Sequence, residues 1–272
     1  ATVGKITSGS GYEYLTDSVA RDRHDYYTGA GESPGVWAGT GIDALGLAGE
    51  VDPDDMKYLY GMFVDPRSVP MRIDPSTGRP RQLVTLGQPL AAARVINQGT
   101  GRERVLEQIA ALDVTFSPSK SVSVLWAMAD AGTRQVIIDA HERAVDEGLA
   151  YLEANAGHAR AGRGGVRRVD TDGFVVAKFR HRTARQTDRS RVGDPQLHTH
   201  CAILNRVRCA DGKWRTLDGQ AIYAHAHAAG ALYGARLEEL LSERLGVAWV
   251  TPGEGERVLM REIVGVPDSV RR

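Results

Sequence analysis

The sequence predicts an α+β fold, a two-layer sandwich in which a central, mainly antiparallel sheet is flanked by helices. Three observations predict it. Strand-like runs gather around two long helical patterns instead of alternating with them one for one. The runs Leu197–Arg208 and Lys213–Leu217 are joined by Asp211-Gly212, a strong hairpin signal. A chain of 272 residues is long enough to bury one substantial core, so a single domain spanning 1–272 is expected.

Val3–Thr7 reads as a short strand, followed by a Gly/Ser turn and a tyrosine-bearing segment, Gly11–Asp17. Residues 28–41 are rich in Gly and Thr, contain Trp37, and read as loop. Asp43–Leu47 and Pro53–Met62 look helical, the second with Asp52 as N-cap ahead of proline. Four prolines and Gly78 argue against regular structure from Asp65 to Pro80.

Leu112–Ser117, with its β-branched and aromatic residues, reads as a strand. It runs into an amphipathic pattern over about 120–154, where Val122, Leu125, Trp126, Val136, Ile137, His141, Val145, Leu149 and Leu152 keep helical spacing. A break is expected near Gly132. Gly173–His181 alternates as a strand, Ile222–Leu245 is helical, and Val247–Val250 and Val258–Val264 are late strands.

Composition excludes several classes. The hydrophobic fraction of 42% and charged fraction of 25% are those of a soluble globular protein. No apolar run reaches the ~18 residues that span a bilayer, and no signal segment leads the chain. The two cysteines, Cys201 and Cys209, lack paired metal spacing and fit a reducing, cytoplasmic setting. With 34 basic and 34 acidic residues, a uniformly basic coat is excluded. Distribution matters more than the sum. Between Arg160 and Arg191 lie ten Arg/Lys against three Asp, a strip suited to phosphate.

The sharpest local feature is Asp194-Pro-Gln-Leu-His-Thr-His200. In a strand, residues two apart share a face, so His198 and His200 present two imidazoles side by side. Neutral imidazole suits a borderline divalent metal. If the preceding strand pairs with this one, His181 completes a three-histidine site, and three protein ligands with open positions are catalytic in type. His225 and His227 have the same spacing in a helical segment, where positions two apart diverge. They are read as non-ligands. No cysteine nucleophile, Ser-His-Asp order, Walker loop or dinucleotide fingerprint occurs. Tyrosines do: Tyr12, Tyr14, Tyr26 and Tyr27 are four of nine, all within the first 27 residues.

Together these stretches resemble the MobF-class conjugative relaxases (the TrwC/TraI type) of the His-hydrophobe-His endonuclease superfamily. The matching segments are Tyr14-Leu-Thr-Asp17 with Asp25-Tyr-Tyr27, Trp37–Gly41 with Leu45-Gly-Leu47, Asp113–Ser123, Phe179-Arg-His181 with Ala184-Arg185, and Asp194–His200, with a similar tail from Lys213 to Pro267. They fall in family order and span nearly the whole chain. The resemblance implies the relaxase palm fold and site- and strand-specific DNA nicking and religation at an origin of transfer.

By that resemblance Tyr14 is the nucleophile and Tyr26 the second tyrosine. Asp113 is the catalytic aspartate, His181, His198 and His200 hold a divalent ion (Mn²⁺, Mg²⁺ or Zn²⁺), and Arg185 lies near the scissile phosphate. Leu15 stands where many members have a second tyrosine. Tyr12 would share a face with Tyr14 in an extended segment and remains an alternative nucleophile. The stretch Gln186–Gly193 is longer than the family's usual link, and its Arg189 and Arg191 are candidate DNA-backbone contacts, as is Lys120 near a helix start. Trp37, Trp214 and the tyrosines are candidate stacking surfaces for single-stranded DNA.

The chemistry those residue types permit is a transesterification. A phenol with a pKa of ~10 needs activation near neutrality. A metal ion on the phosphate and Asp113 as proton acceptor, or as orienter of a ligand histidine, would supply it. The family further implies an origin hairpin, accessory relaxosome proteins and a coupling protein as partners, passage into a recipient cell with the DNA, and a helicase or other DNA-processing region beyond this domain. Alternative readings are a rolling-circle replication initiator, a non-catalytic origin-binding module, and a metal hydrolase using water.

Overall fold

A computed structural model describes residues 1–16, 32–69, 73, 76–79, 82–87, 93–96, 103–106, 108–162, 167–184, 194–251 and 260–271, with the backbone alone at 93–96 and 103–106. In chain order the elements begin with β1 (Thr2–Thr7), α1 (Glu13–Thr16), β2 (Val36–Ala38) and a 3₁₀ turn (Thr40–Leu45). Next come α2 (Pro53–Met56), which runs on into a π turn (Lys57–Gly61), then β3 (Ala93–Ile96), β4 (Glu103–Leu106) and β5 (Ile109–Phe116). Two helices follow, α3 (Lys120–Met128) and α4 (Ala131–Ala156), then β6 (His158–Ala161), β7 (Arg167–Asp170), β8 (Val176–Thr183) and β9 (Pro195–Leu204). The chain continues through β10 (Val207–Arg208), β11 (Trp214–Arg215), α5 (Gly219–Leu245), β12 (Trp249–Val250), β13 (Glu262–Ile263) and α6 (Asp268–Arg271).

The central sheet has the order β1-β5-β9-β8-β2, and every pairing in it is antiparallel. The α+β sandwich expected from the sequence is what forms. β6 and β7 make a separate ribbon, as do β3 with β4 and β10 with β11.

One face of the sheet is covered by α4 and α5. Asp130 ends the break before α4 by accepting from the Gly132 and Thr133 amides at 2.8 and 3.0 Å, a side-chain N-cap. The break thus lies two residues ahead of the expected Gly132. Ile137, Ala140, Ala144, Val145, Leu149 and Leu152 form the buried stripe of α4 and meet Leu112, Val114 and Phe116 of β5 and Leu197, Cys201 and Ile203 of β9. Gly148 permits that approach: a Cβ there would lie 2.8 Å from Cε1 of Phe116. Asp218 caps α5, and Gly246 ends it in the left-handed region that glycine adopts without a steric cost.

The opposite face carries a smaller core over one part only. Ile6, Tyr12, Leu15, Leu45, Met56, Leu59, Tyr60 and Phe63 pack on Ala111, Ala177, Phe179, Ala202 and Leu204. Tyr60 is fully buried; its hydroxyl donates to the Ala202 carbonyl at 2.7 Å and accepts from the Ala177 amide at 3.2 Å. Beyond this cluster no described element covers the same face, and the site lies there.

Two local expectations are corrected. Residues 36–38, read as loop, are the edge strand β2, whose Val36, Trp37 and Ala38 pair with Lys178, Ala177 and Val176. Glycines on either side shorten the strand below what period-two alternation can signal, and tertiary pairing decides. The tyrosine segment forms a helical turn, so the common face that an extended segment would give Tyr12 and Tyr14 does not exist.

Candidate active site and metal centre

Three neighbouring strands, β5, β9 and β8, build the site from their open faces. Register fixes the positions: His181 of β8 stands directly opposite His198 of β9, Phe179 opposite His200, and Thr115 of β5 opposite His200 on its other side. Side chains two apart share a face, so His198 and His200 project together and His181 joins them across the strand pair. Their ring centroids are 5.0–5.3 Å apart, and one ring nitrogen from each lies within 4.8 Å of the others. Among the described residues, no other group of three His, Cys, Asp or Glu is so arranged. His225 and His227, on α5, stand apart from it; His225 meets the Tyr151 hydroxyl.

The outer nitrogens of two of these rings are already engaged. His200 Nδ1 lies 2.8 Å from Asp113 Oδ2 and 3.2 Å from Thr115 Oγ1. His198 Nδ1 lies 2.9 Å from the Gln196 carbonyl. An acceptor on Nδ1 holds the proton there and leaves the Nε2 lone pair for a cation, the usual arrangement behind a metal-binding imidazole. Burial pushes the His181 pKa down to about 3, with the neighbouring His200 and His198 adding to the effect. Burial lowers that of His198 as well. Three imidazoles around one point are a donor set for a borderline divalent ion.

Asp113 and Tyr14 complete the group. Asp113 lies two residues before Thr115 on β5, diagonal to His200, and is almost wholly buried. Its Oδ2 accepts from the Tyr14 hydroxyl at 2.7 Å, whereas its Oδ1 is buried without a hydrogen-bond partner. Tyr14 reaches it from α1, its ring edge-on to His200 at 5.9 Å, and remains 37% exposed. The pocket in front has a volume of about 650 Å³ and is lined by Tyr14, His181, His198 and His200 with Thr115 and Glu32.

The other expected residues divide. Tyr12 is buried in the smaller core beside Leu15 and Leu59, away from this pocket. Lys120 begins α3 and donates from Nζ to the Pro195 carbonyl at 3.0 Å, at the start of β9. Trp37 and Trp214 pack into or against the smaller core. Tyr26, Tyr27, Arg185, Arg189 and Arg191 lie outside the described residues. Sequence reasoning missed Glu32, which lines the pocket and takes the backbone amide and guanidinium of Arg182 at 3.0 and 2.9 Å. A lone glutamate in a Gly/Pro-rich segment gave no signal.

The sequence model of the TrwC relaxase family matches residues 8–272. The chain belongs to the TrwC relaxase family. Among curated relatives, the multifunctional conjugation protein TraI of Escherichia coli strain K12 is 31% identical over 290 residues. That match covers 97% of this chain but 14% of TraI, so the chain spans about one seventh of that relative's length. A second TraI from Escherichia coli is 31% identical over 271 residues, covering 96% of this chain and 13% of its own.

Solved structures of the relaxase TrwC share the fold. A metal-bound structure in complex with oriT DNA has a TM-score of 0.66 at 28% identity, covering 98% of this chain and 77% of that one. A copper-bound complex gives 0.65 at 29% identity, with the same coverage. TrwC with a 27-mer comprising the recognition hairpin and cleavage site gives 0.61 at 27% identity, covering 99% of this chain and 77% of that one. Among the described residues of this relaxase-family chain, no helix is long and apolar enough to cross a membrane.

Proposed function

We propose that this domain nicks and reseals one DNA strand at a plasmid origin of transfer, with Tyr14 as nucleophile, to initiate conjugative transfer. The observation that carries the reading is the convergence of the Tyr14 hydroxyl, the Asp113 carboxylate and three imidazoles on one open pocket. A divalent ion held by His181, His198 and His200 would neutralise the non-bridging oxygens of the scissile phosphate and polarise phosphorus.

The chain's own residues do the rest. Asp113 Oδ2 takes the phenol proton as the Tyr14 oxygen attacks phosphorus. The P–O3′ bond breaks, its electron pair leaves with the 3′ oxygen, and that oxygen is protonated to a free hydroxyl. The 5′-phosphate stays on Tyr14 as a phosphodiester, so attack by the 3′-hydroxyl reverses the step. This accounts for a tyrosine where a hydrolase would use water. Asp113 also holds the Nδ1 side of His200, so one carboxylate both deprotonates the nucleophile and orients a ligand.

The substrate reading extends to single-stranded DNA and a hairpin at the origin; the TrwC complexes hold oriT DNA and, in one, a 27-mer comprising the recognition hairpin and the cleavage site. Of the basic strip, Arg167 and Arg168 on the β6–β7 ribbon are proposed as phosphate contacts, whereas Arg160, Lys178, Arg180 and Arg182 are ion-paired with Asp218, Asp146, Glu142 and Glu32. Arg185, Arg189, Arg191 and Lys120 are proposed as further DNA contacts and Tyr26 as a second acceptor tyrosine. A cytoplasmic location, relaxosome and coupling partners, and a place as the N-terminal domain of a longer relaxase-helicase belong to the same proposal. The test is incubation with Mn²⁺ and a single-stranded oligonucleotide spanning the native origin. A covalent protein–DNA adduct, lost in Tyr14→Phe, is expected; binding without an adduct would leave only the origin-binding module.

A further inference from the structure

The far side of the sheet holds a polar chain that the nicking chemistry does not use. His141 of α4 is completely buried, and both ring nitrogens are bonded at 2.8 Å: Nδ1 with the Tyr233 hydroxyl of α5, Nε2 with Thr199 Oγ1 of β9. Burial drives its pKa down to about 3, with Arg180, His198 and Lys178 adding to the effect, so the ring is neutral and one nitrogen donates while the other accepts. Thr199 lies between His198 and His200. Its side chain points into the helix layer for the same reason that theirs point out of it.

We propose that His141 is a positioning residue for the metal centre, acting through Thr199 to set the rotation of β9 about its own axis. The inference rests on reading His181, His198 and His200 as a metal site. A strand's side chains are spokes on one axle. Anchoring Thr199 to two helices from behind fixes the angle at which His198 and His200 leave the sheet in front. An apolar pair at 141 and 199 would fill the space without this directional constraint, because van der Waals contact tolerates rotation that a 2.8 Å hydrogen bond does not.

The neighbouring strand is held in parallel fashion. Glu142, next to His141 on α4, accepts from Arg180 at 3.1 Å, and Lys178 pairs with Asp146 and Glu142. Arg180 pairs across the sheet with Thr199 and immediately precedes His181. Both ligand-bearing strands are therefore tied to the same helix by polar contacts, and two of these, at Thr199 and Arg180, are one residue removed from a ligand.

The test is Mn²⁺ binding by isothermal titration in wild type, Thr199→Val, Thr199→Ser, His141→Gln and His198→Ala, with metal-free melting temperatures measured alongside. Thr199→Val removes Oγ1 at nearly constant shape. About a tenfold loss of Mn²⁺ affinity is expected for a folded Thr199→Val, the lower end of what outer-shell partners contribute. Thr199→Ser and His141→Gln, which keep hydrogen-bonding groups, are expected to retain most of it. A merely structural role would lower the melting temperature and leave affinity where it was. Wild-type affinity in a folded Thr199→Val overturns the inference. Failure of the metal reading itself looks different: wild type would not bind Mn²⁺, or His198→Ala would bind it equally well.

Discussion

The Tyr14 hydroxyl donates to Asp113 Oδ2 at 2.7 Å although 99 positions separate the two in sequence, and the same oxygen lies 2.8 Å from His200 Nδ1. One carboxylate oxygen thus joins the nucleophile to a candidate metal ligand. Asp113→Asn keeps the shape and removes the proton acceptor. The expected outcome is a 10²–10⁴-fold loss in the rate of adduct formation, the range for general bases. Quench-flow with a labelled oligonucleotide measures it, and a rate within threefold of wild type would remove Asp113 from the proton-accepting role.

Tyr12 and Tyr14 were not separable from the sequence, and their substitutions now predict opposite results. Tyr14→Phe is expected to abolish the covalent adduct. Tyr12→Phe, in the smaller core, is expected to leave adduct yield within a few-fold and to act on thermal stability. Mass spectrometry of the DNA-linked peptide identifies the attached residue directly; a phosphotyrosine at 12 would overturn the assignment.

Metal binding is expected to stabilise the fold as well as to serve the reaction. A ligand that binds only the native state adds about 2.7 kcal/mol at a hundredfold excess over Kd. Calorimetric melting with and without Mn²⁺ is therefore expected to show a rise in wild type and none in His198→Ala. EDTA is expected to stop nicking, with Mn²⁺ restoring it. Undiminished nicking in EDTA would exclude the metal.

Acid is expected to weaken the fold partly through His141. Its folded pKa is about 3 and an unfolded histidine titrates near 6.5, so between these values the unfolded chain binds the extra proton. Stability from this group is fully present above about 6.5 and falls as the pH drops toward 3, by at most about 1.4 kcal/mol per pH unit. Urea midpoints measured from pH 7 to pH 5 are expected to decline less steeply in His141→Gln. Parallel declines would assign the acid sensitivity elsewhere.

Gly148 is where α4 comes nearest Phe116. A methyl at that position meets the ring edge at 2.8 Å and the Ala229 carbonyl at 3.3 Å. Gly148→Ala is expected to destabilise by about 1–3 kcal/mol, as overpacking does, despite alanine's better helix propensity. Chemical denaturation measures it; a gain in stability would mean that the helix shifts freely.

What the sequence disclosed and what it hid follow physical lines. The long helices and β9 were legible because their apolar periodicity extends over many residues, and His198 with His200 followed from period two. His181 needed knowledge of which strands pair, and pairing is a long-range choice; the register with His198 supplied it. Strand β2 was hidden because three residues between Gly/Pro-rich flanks carry no pattern of their own. The smaller core was hidden for a related reason. Its members come from β1, short helical turns and one face of three strands distant in sequence, so no single window contains its periodicity. His141 was read as one apolar-stripe position among many, since a polar chain crossing between layers leaves no linear trace.

The candidate ligands stand on regular strands at the middle of the sheet, not on a loop. Inserting or deleting one residue between Pro195 and His200 would turn an imidazole inward against the helices and bring its neighbour out. Length changes that preserve the arrangement must therefore come in pairs, or fall outside the strand altogether. A lineage could vary the surrounding loops widely and still inherit the three imidazoles, because the pleat that orients them also holds the domain together.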